Sequence, residues 1–203
     1  MHTVNYAGHS IKPTKIICVG RNYAAHIAEL NNETPTAMVL FFKPNSAITE
    51  TLCAEHHGET LHYETELCFL VKNNRLAAVG LGLDLTKRTL QTQLKTHGLP
   101  WERAKAFDGS ALFTEFVDLD ERQRYQFTLH IDDQLAQHGE CNLMLYKPET
   151  ILAEISQFMT LEDGDIIMTG TPAGVGEIKH GQFFTATLIG AEDVLLTHHW
   201  QVS

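Results

Sequence analysis

Apolar positions in this chain gather into short, dense runs and seldom into long helical stripes. Ile16–Val19, Met38–Phe42, Leu67–Val71 and Leu76–Leu83 are nearly unbroken. Such runs predict strands covered on both faces. Gly20 punctuates the first, and Lys43-Pro44 stops the second. Between them, Asn22–Leu30 has helical character, ended by Asn31-Asn32-Glu33-Thr34-Pro35. Thr86 is the predicted N-cap of a helix running to about His97, with Gly98 as its stop and Leu90 and Leu94 on its packed face. In the second half, Tyr125–Ile131 and a following short strand bracket Asp132-Asp133, a hairpin signal. Pro148 opens a helix through Phe158, apolar at Ile151, Leu152, Ile155 and Phe158. A turn at Leu161–Asp165 leads into the strand Ile166–Thr169. Phe183–Ile189 and Val194–Val202 form a closing hairpin across Gly190-Ala191-Glu192-Asp193. Many strands with few helices between them predict a mixed α+β domain built on a rolled sheet or barrel, not an alternating Rossmann array.

Length and composition narrow the function classes. A chain of 203 residues, 43% of them hydrophobic, fits one soluble domain with a substantial core. No repeat or linker divides it, so 1–203 is expected to be a single catalytic domain, with 1–14 as a short N-terminal extension. No apolar run approaches the roughly 20 residues of a membrane span, and the N-terminus lacks signal-peptide character. A cytoplasmic protein, or an organellar one with any presequence already missing from this chain, is the expectation, without a membrane partner. The formal charge of −10 argues against a nucleic-acid partner, because phosphate binding needs clustered Lys and Arg. The four cysteines are scattered without a C-x-x-C pair, and Cys18 and Cys68 fall inside apolar strands as small buried hydrophobes. The adjacent pairs His56-His57 and His198-His199 lack zinc-site spacing and are expected at the surface.

The candidate chemistry begins at His62-Tyr63-Glu64-Thr65-Glu66-Leu67. On a strand Glu64 and Glu66 point to one face. Two neighbouring carboxylates repel, and both ionise cheaply only with a cation between them. Asp84 closes the run Leu76–Leu83 and could aim a third carboxylate at the same point. An all-oxygen ligand set favours Mg2+ or Mn2+ and leaves positions open for water or substrate. Alone, an E-x-E pair equally describes the solvated face of an edge strand; the apolar run that follows argues for paired, buried carboxylates.

Three further segments carry candidates. His26 and Glu29 lie three apart on one helical face, as a general base oriented by a carboxylate or as an exposed polar pair. Arg88 and Gln91 share a face of the helix after Asp84, and Lys105 follows in Trp101–Asp108; a cation and an amide near a metal bind a substrate carboxylate or a developing enolate oxygen. Singly, Arg88 and Lys105 also describe solvated charges. Thr169-Gly170-Thr171-Pro172-Ala173-Gly174-Val175-Gly176 is no P-loop, since no Gly-Lys-Ser/Thr follows, and serves either close approach of backbone N–H groups to an anion or a tight turn.

Taken in order, these segments resemble the fumarylacetoacetate hydrolase domain family, and within it the short acylpyruvate hydrolase and oxaloacetate decarboxylase or tautomerase group. The landmarks are Gly20-Arg21-Asn22-Tyr23, Phe41-Phe42-Lys43-Pro44, Glu64-Thr65-Glu66-Leu67, Leu83-Asp84-Leu85-Thr86, Gly98-Leu99-Pro100-Trp101, Ala104-Lys105-Ala106-Phe107 and Gly164–Pro172. The resemblance implies a mixed β-roll, a homodimer, and Mg2+ or Mn2+ held by Glu64, Glu66 and Asp84. It implies His26 and Glu29 as an acid/base dyad on a mobile N-terminal lid, Gln91 and Lys105 in contact with substrate, and Arg88 at a position that aids substrate binding in larger relatives; Arg21 and Arg88 are both candidates for the substrate's far end. Thr171 would border the pocket. The implied substrates are small 2-oxo acids reacting through an enolate, by C–C hydrolysis, decarboxylation or keto–enol tautomerisation. The alternatives are a hydratase or isomerase of 2-oxohept-3-enedioate type and a silent metal- or metabolite-binding relative. Two departures bear on the pocket wall: His62-Tyr63 where relatives often have two histidines, and Asp108-Gly109-Ser110-Ala111 where they often carry Ser and Cys.

Overall fold

The apolar runs pair into one curled sheet whose two faces are both covered. The computed structural model describes residues 1–191 and 193–203, so Glu192 in the predicted closing turn lies outside the described residues. The sheet is built from β1 (Lys15–Gly20), β2 (Val39–Pro44), β3 (Thr65–Lys72), β4 (Arg75–Asp84), β5 (Ala111–Phe113) and a later strand at Ile166–Met168. Its order is β5-β4-β3, then Ile166–Met168, then β1-β2, with Val117–Asp118 also pairing β4. Only the pairing of Ile166–Met168 with β1 is parallel. A second, antiparallel sheet comprises β6 (Gln126–Ile131), β7 (Gln134–Glu140), and the strands Phe183–Ile189 and Val194–Gln201. The β6–β7 turn is Asp132-Asp133, both in the left-handed region (φ 49° and 65°), as a two-residue primed hairpin requires.

Alternation along β3 explains why its sequence is apolar throughout. Leu67, Phe69 and Val71 join a core shared with Phe127, Leu129, Phe184 and Leu188 of the second sheet. Cys68 and Leu70 belong to a separate cluster with Ile16, Cys18, Phe41, Ile166 and Met168. Each such side chain stabilises the fold by about 1.5–3 kcal/mol when buried. Truncating Phe127 at the centre of the shared core to Ala costs about 3–5 kcal/mol.

Among the described residues four short α-helices decorate the sheets: α1 (Ala24–Glu29), α2 (Arg88–Thr96), α3 (Glu102–Lys105) and α4 (Pro148–Ile155). Several boundaries differ from expectation. Asn22 does not begin the first helix, because its buried amide donates to Tyr146 O and Thr169 O and accepts from Tyr146 N. Thr86 is not a cap: α2 starts at Arg88 after Lys87, and the Thr86 hydroxyl faces Asp84 O and Lys105. The fourth helix ends at Ile155, where the amides of Gln157 and Phe158 turn to carbonyls three residues back; Phe158 is 57% exposed, while Met159 packs on the core. The predicted carboxylate strand is interrupted at Glu64, between His62–Tyr63 and β3. Residues Val4–Tyr6 and His9–Ile11 form a small hairpin, tied down by Asn45 bonding His2 and Pro13. Among the described residues no helix is long and apolar enough to cross a membrane.

Candidate active site

The face of the main sheet that carries Cys18, Cys68 and Phe41 ends in charge. Glu66 lies on β3 opposite Gly82, and Asp84 ends β4 with its amide donating to Glu64 O at 2.8 Å. That backbone bond keeps Glu64 beside Asp84 even though the strand breaks there. Glu64, Glu66 and Asp84 are all buried, and each offers a carboxylate oxygen within 4.8 Å of the others. Beneath them burial pushes the Cys18 and Cys68 thiols well above their usual range, so these are neutral packing groups.

Cations from three elements meet this cluster unequally. The Lys105 ammonium, from α3, lies 2.6 Å from Glu64 Oε2, Asp84 Oδ2 and Thr86 Oγ1. Lys43, from β2 and wholly buried, lies 2.8 Å from Asp84 Oδ1 and donates to the carbonyl oxygens of Lys105 and Ser110. Its approach to Asp84 is an ion contact without hydrogen-bond alignment, since that oxygen has no hydrogen-bond partner. Arg88 pairs with Glu64 Oε1 and donates to Gln91 Oε1 at 2.9 Å.

Glu66 is left without a cation of its own. It accepts the Gly170 N–H at 2.7 Å, a close approach that needs glycine: φ is 96°, and a Cβ would lie 2.8 Å from Asn22 Cβ and 2.9 Å from Val19 O. Burial, then the charges of Asp84 and Glu64, push its carboxyl well above the ordinary range. Glu64 goes the other way: burial opposes ionisation, but Lys105 and Arg88 outweigh it and hold the group far below. Burial also opposes the Lys105 charge, and Asp84 and Glu64 overcome it to raise that ammonium. A buried carboxylate beside two anions, its oxygen held by a neutral amide, is incomplete without a positive charge. The three residues therefore fit a hard dication, and their all-oxygen donor set suits Mg2+ or Mn2+.

Helix α1 carries the proton-transfer candidates to the same cavity. His26 Nδ1 is 3.1 Å from Glu29 Oε2, while Glu29 Oε1 accepts the Gly174 N–H at 2.9 Å. Nδ1 being engaged, Nε2 is the ring nitrogen free to act. Arg21, His26, Glu64, Glu66, Asp84, Arg88, Gln91, Lys105 and Thr171 all line one cavity; Glu29 touches it through His26. Thr171 Oγ1 accepts from Gln137, which also receives the Thr65 amide and so ties the glycine loop to β3. Sequence reasoning placed none of Lys43, Thr86, Lys95 and Asn32 in the site: Thr86 is expected only as a helix cap, and Gly170 only as part of a loop that brings N–H groups to an anion or makes a tight turn. Lys43 carried a signal: a lone ammonium inside an apolar strand is almost never buried unless paired.

Comparison with known proteins finds relatives over most of the chain. Residues 15–197 match the family model described as fumarylacetoacetate (FAA) hydrolase C-terminal. The chain is 34% identical to the mitochondrial oxaloacetate tautomerase FMP41 of Saccharomyces cerevisiae, covering 92% of this chain and 91% of that one. It is 35% identical to the oxaloacetate tautomerase YcgM of Escherichia coli, covering 87% and 89%. A crystal structure of fumarylpyruvate hydrolase from Pseudomonas aeruginosa in complex with Mn2+ and pyruvate superposes with a TM-score of 0.86 at 26% identity, covering 98% and 94%. The protein belongs to the fumarylacetoacetate hydrolase family.

Proposed function

We propose that this chain, acting as one catalytic unit and as a homodimer, is a Mg2+- or Mn2+-dependent enzyme on small 2-oxo acids, its foremost reaction the keto–enol tautomerisation of oxaloacetate. The observation that carries the reading is the convergence of the acidic triad and the His26–Glu29 dyad on one cavity. Relatives about one-third identical over most of their length are named for that reaction.

A dication held by Glu64, Glu66 and Asp84 supplies Lewis acidity that lowers the energy of negative charge on the 2-oxo oxygen. The chain's own groups do the rest. Lys105 and Arg88 offer fixed positive charge, and Gln91 an amide, to the substrate's carboxylate and enolate oxygens. From keto to enol, His26 Nε2 takes the proton from C3 and one is returned to the 2-oxo oxygen; in the reverse direction the enol oxygen loses its proton and His26 returns one to C3. Glu29 holds the imidazole in the tautomer that leaves Nε2 basic, and its bond to Gly174 keeps the lid down over the reacting atoms. Gln137 and the glycine loop keep Thr171 at the wall.

A second reading, hydrolysis of acylpyruvates, is favoured by the likeness to a fumarylpyruvate hydrolase that binds Mn2+ and pyruvate. There His26 would deprotonate water for attack on the distal carbonyl, the bond from C3 to that carbon would break to give a carboxylic acid and the enolate of pyruvate, and a proton returned to C3 would release pyruvate. An ultraviolet assay decides between them. The panel is oxaloacetate as keto and enol forms, acetylpyruvate and 2-oxohept-3-enedioate, each with Mg2+, Mn2+ or EDTA. Fast keto–enol exchange of oxaloacetate that stops in EDTA is the expected result. Mg2+ binding without turnover of any of these acids would leave a silent binding protein.

A further inference from the structure

Three polar side chains in the cavity wall take no part in the arrangement around the carboxylates. Lys95, half-buried on the last turn of α2, donates to Asn32 Oδ1 at 2.7 Å. Arg21 Nη2 reaches the same oxygen at 3.5 Å. Asn32 belongs to the segment that follows the lid helix, so one neutral amide oxygen gathers two cations from two sides. Among the described residues neither Lys95 nor Arg21 has a carboxylate partner, in a chain carrying 25 acidic and 15 basic side chains. Arg21 Nε is buried without any hydrogen-bond partner, and Arg21 holds a left-handed backbone (φ 57°) that a branched-chain-free glycine would adopt without strain. Burial, then the charges of Arg21 and Arg88, push the Lys95 ammonium below its usual range. One anion arriving between these groups would give both Lys95 and Arg21 the charge partner they lack. These groups line the same cavity as the triad, narrow at about 30 Å³ in all. The anion it accepts is therefore a small one and part of a molecule that also reaches the reacting end.

We propose that Lys95, braced by Asn32 and seconded by Arg21, binds the second carboxylate of a 2-oxo diacid and makes the enzyme select diacids over monocarboxylic analogues. The inference rests on the preceding reading of the cavity as a 2-oxo acid site. A methyl group in place of that carboxylate would leave two clustered cations unpaired, so the diacid is preferred.

Calorimetry on the Mg2+-loaded protein tests this with two inert acids that differ only at the far end, malate and 2-hydroxybutanoate. The wild type should bind malate about tenfold more tightly, the worth of one charged hydrogen bond. Lys95→Met should erase that preference by weakening malate alone, Lys95→Arg should keep most of it, and Asn32→Asp should erase it by placing a carboxylate beside the ammonium. Mg2+ titration of each variant first establishes an intact fold and metal site. Equal affinity of the wild type for both acids, undetectable malate binding, or equal weakening of both acids by Lys95→Met overturns the proposal. Turnover of oxaloacetate with Lys95 variants indistinguishable from wild type sinks this inference alone. Absence of turnover with the malate preference behaving as stated sinks the proposed reaction and leaves the anion site standing.

Discussion

Lys43 and Asp84 meet in the interior at 2.8 Å, on the carboxylate oxygen that Lys105 does not touch. Asp84 is thereby fixed from both sides, and Lys43 also ties the backbone of Lys105 and Ser110 to β2. Removing the ammonium strands a buried anion and two carbonyl oxygens. Lys43→Met should lower stability by about 3–5 kcal/mol, the range for breaking a buried pair from one side. Urea denaturation of the metal-free protein measures it; a loss below about 1 kcal/mol would mean that Asp84 is not held by this contact.

Glu66 should set the pH dependence of metal binding. In the metal-free protein its carboxyl is raised by burial, Asp84 and Glu64, so its proton is bound more tightly folded than unfolded. Such a group contributes stability fully present below its unfolded pKa and lost as pH rises through the folded one. A bound dication must displace that proton, so apparent affinity for Mg2+ should strengthen with pH, by up to about tenfold per unit, until the group has ionised. The gain in Tm on adding Mg2+ to EDTA-stripped protein should accordingly be larger at about pH 8 than at about pH 5. A gain independent of pH would show that Glu66 is already ionised without the metal.

The dyad and the triad are separable by substitution. His26→Ala should lower kcat by about 10²–10⁴, the usual range for a general base, while Mg2+ affinity stays unchanged. Glu66→Gln should weaken Mg2+ binding directly. Glu29→Gln retains an oxygen for Gly174 but turns an amide donor towards His26 Nδ1, which favours the unproductive tautomer. Its kcat should fall with KM nearly constant. Unchanged rates in His26→Ala would remove the imidazole from the mechanism.

How legible this site was depended on how local each cause is. The strands β3 and β4 were readable because both faces of each are covered, which leaves a continuous apolar run. The carboxylates stood out as exceptions within that pattern. The break at Glu64 was not readable: it follows from the Asp84 amide bonding Glu64 O and the Thr65 amide bonding Gln137, partners distant in sequence. Thr86 carries every local mark of a cap, yet Lys105 takes its hydroxyl from 19 residues away. Lys95 sits at an unremarkable helix position, and only the return of the lid segment brings Asn32 to it. Phe158 fits the helical period of Pro148–Ile155, but the tightened last turn sends Met159 inward instead.

Asp165 offers a stability test remote from the chemistry. Its Oδ1 accepts the amides of Thr14 and Lys15 and the Thr14 hydroxyl, and its Oδ2 accepts Lys15 Nζ at 2.5 Å and the Glu162 amide at 2.9 Å. Burial alone would raise the carboxyl, but the bonds from Lys15 and Thr14 outweigh it and hold the group below its ordinary range. With the folded pKa beneath the unfolded one, the contribution is complete above the unfolded value and disappears as pH falls through the folded value. Asp165→Ala should therefore cost about 2–4 kcal/mol at neutral pH, from the lost charged bonds and the stranded amides. The gap between wild type and variant should stay constant down to about pH 5 and close below about pH 4. Denaturation midpoints followed along that titration measure the gap, and one that persists undiminished below about pH 3 would assign the loss to packing instead of to the ionised carboxylate.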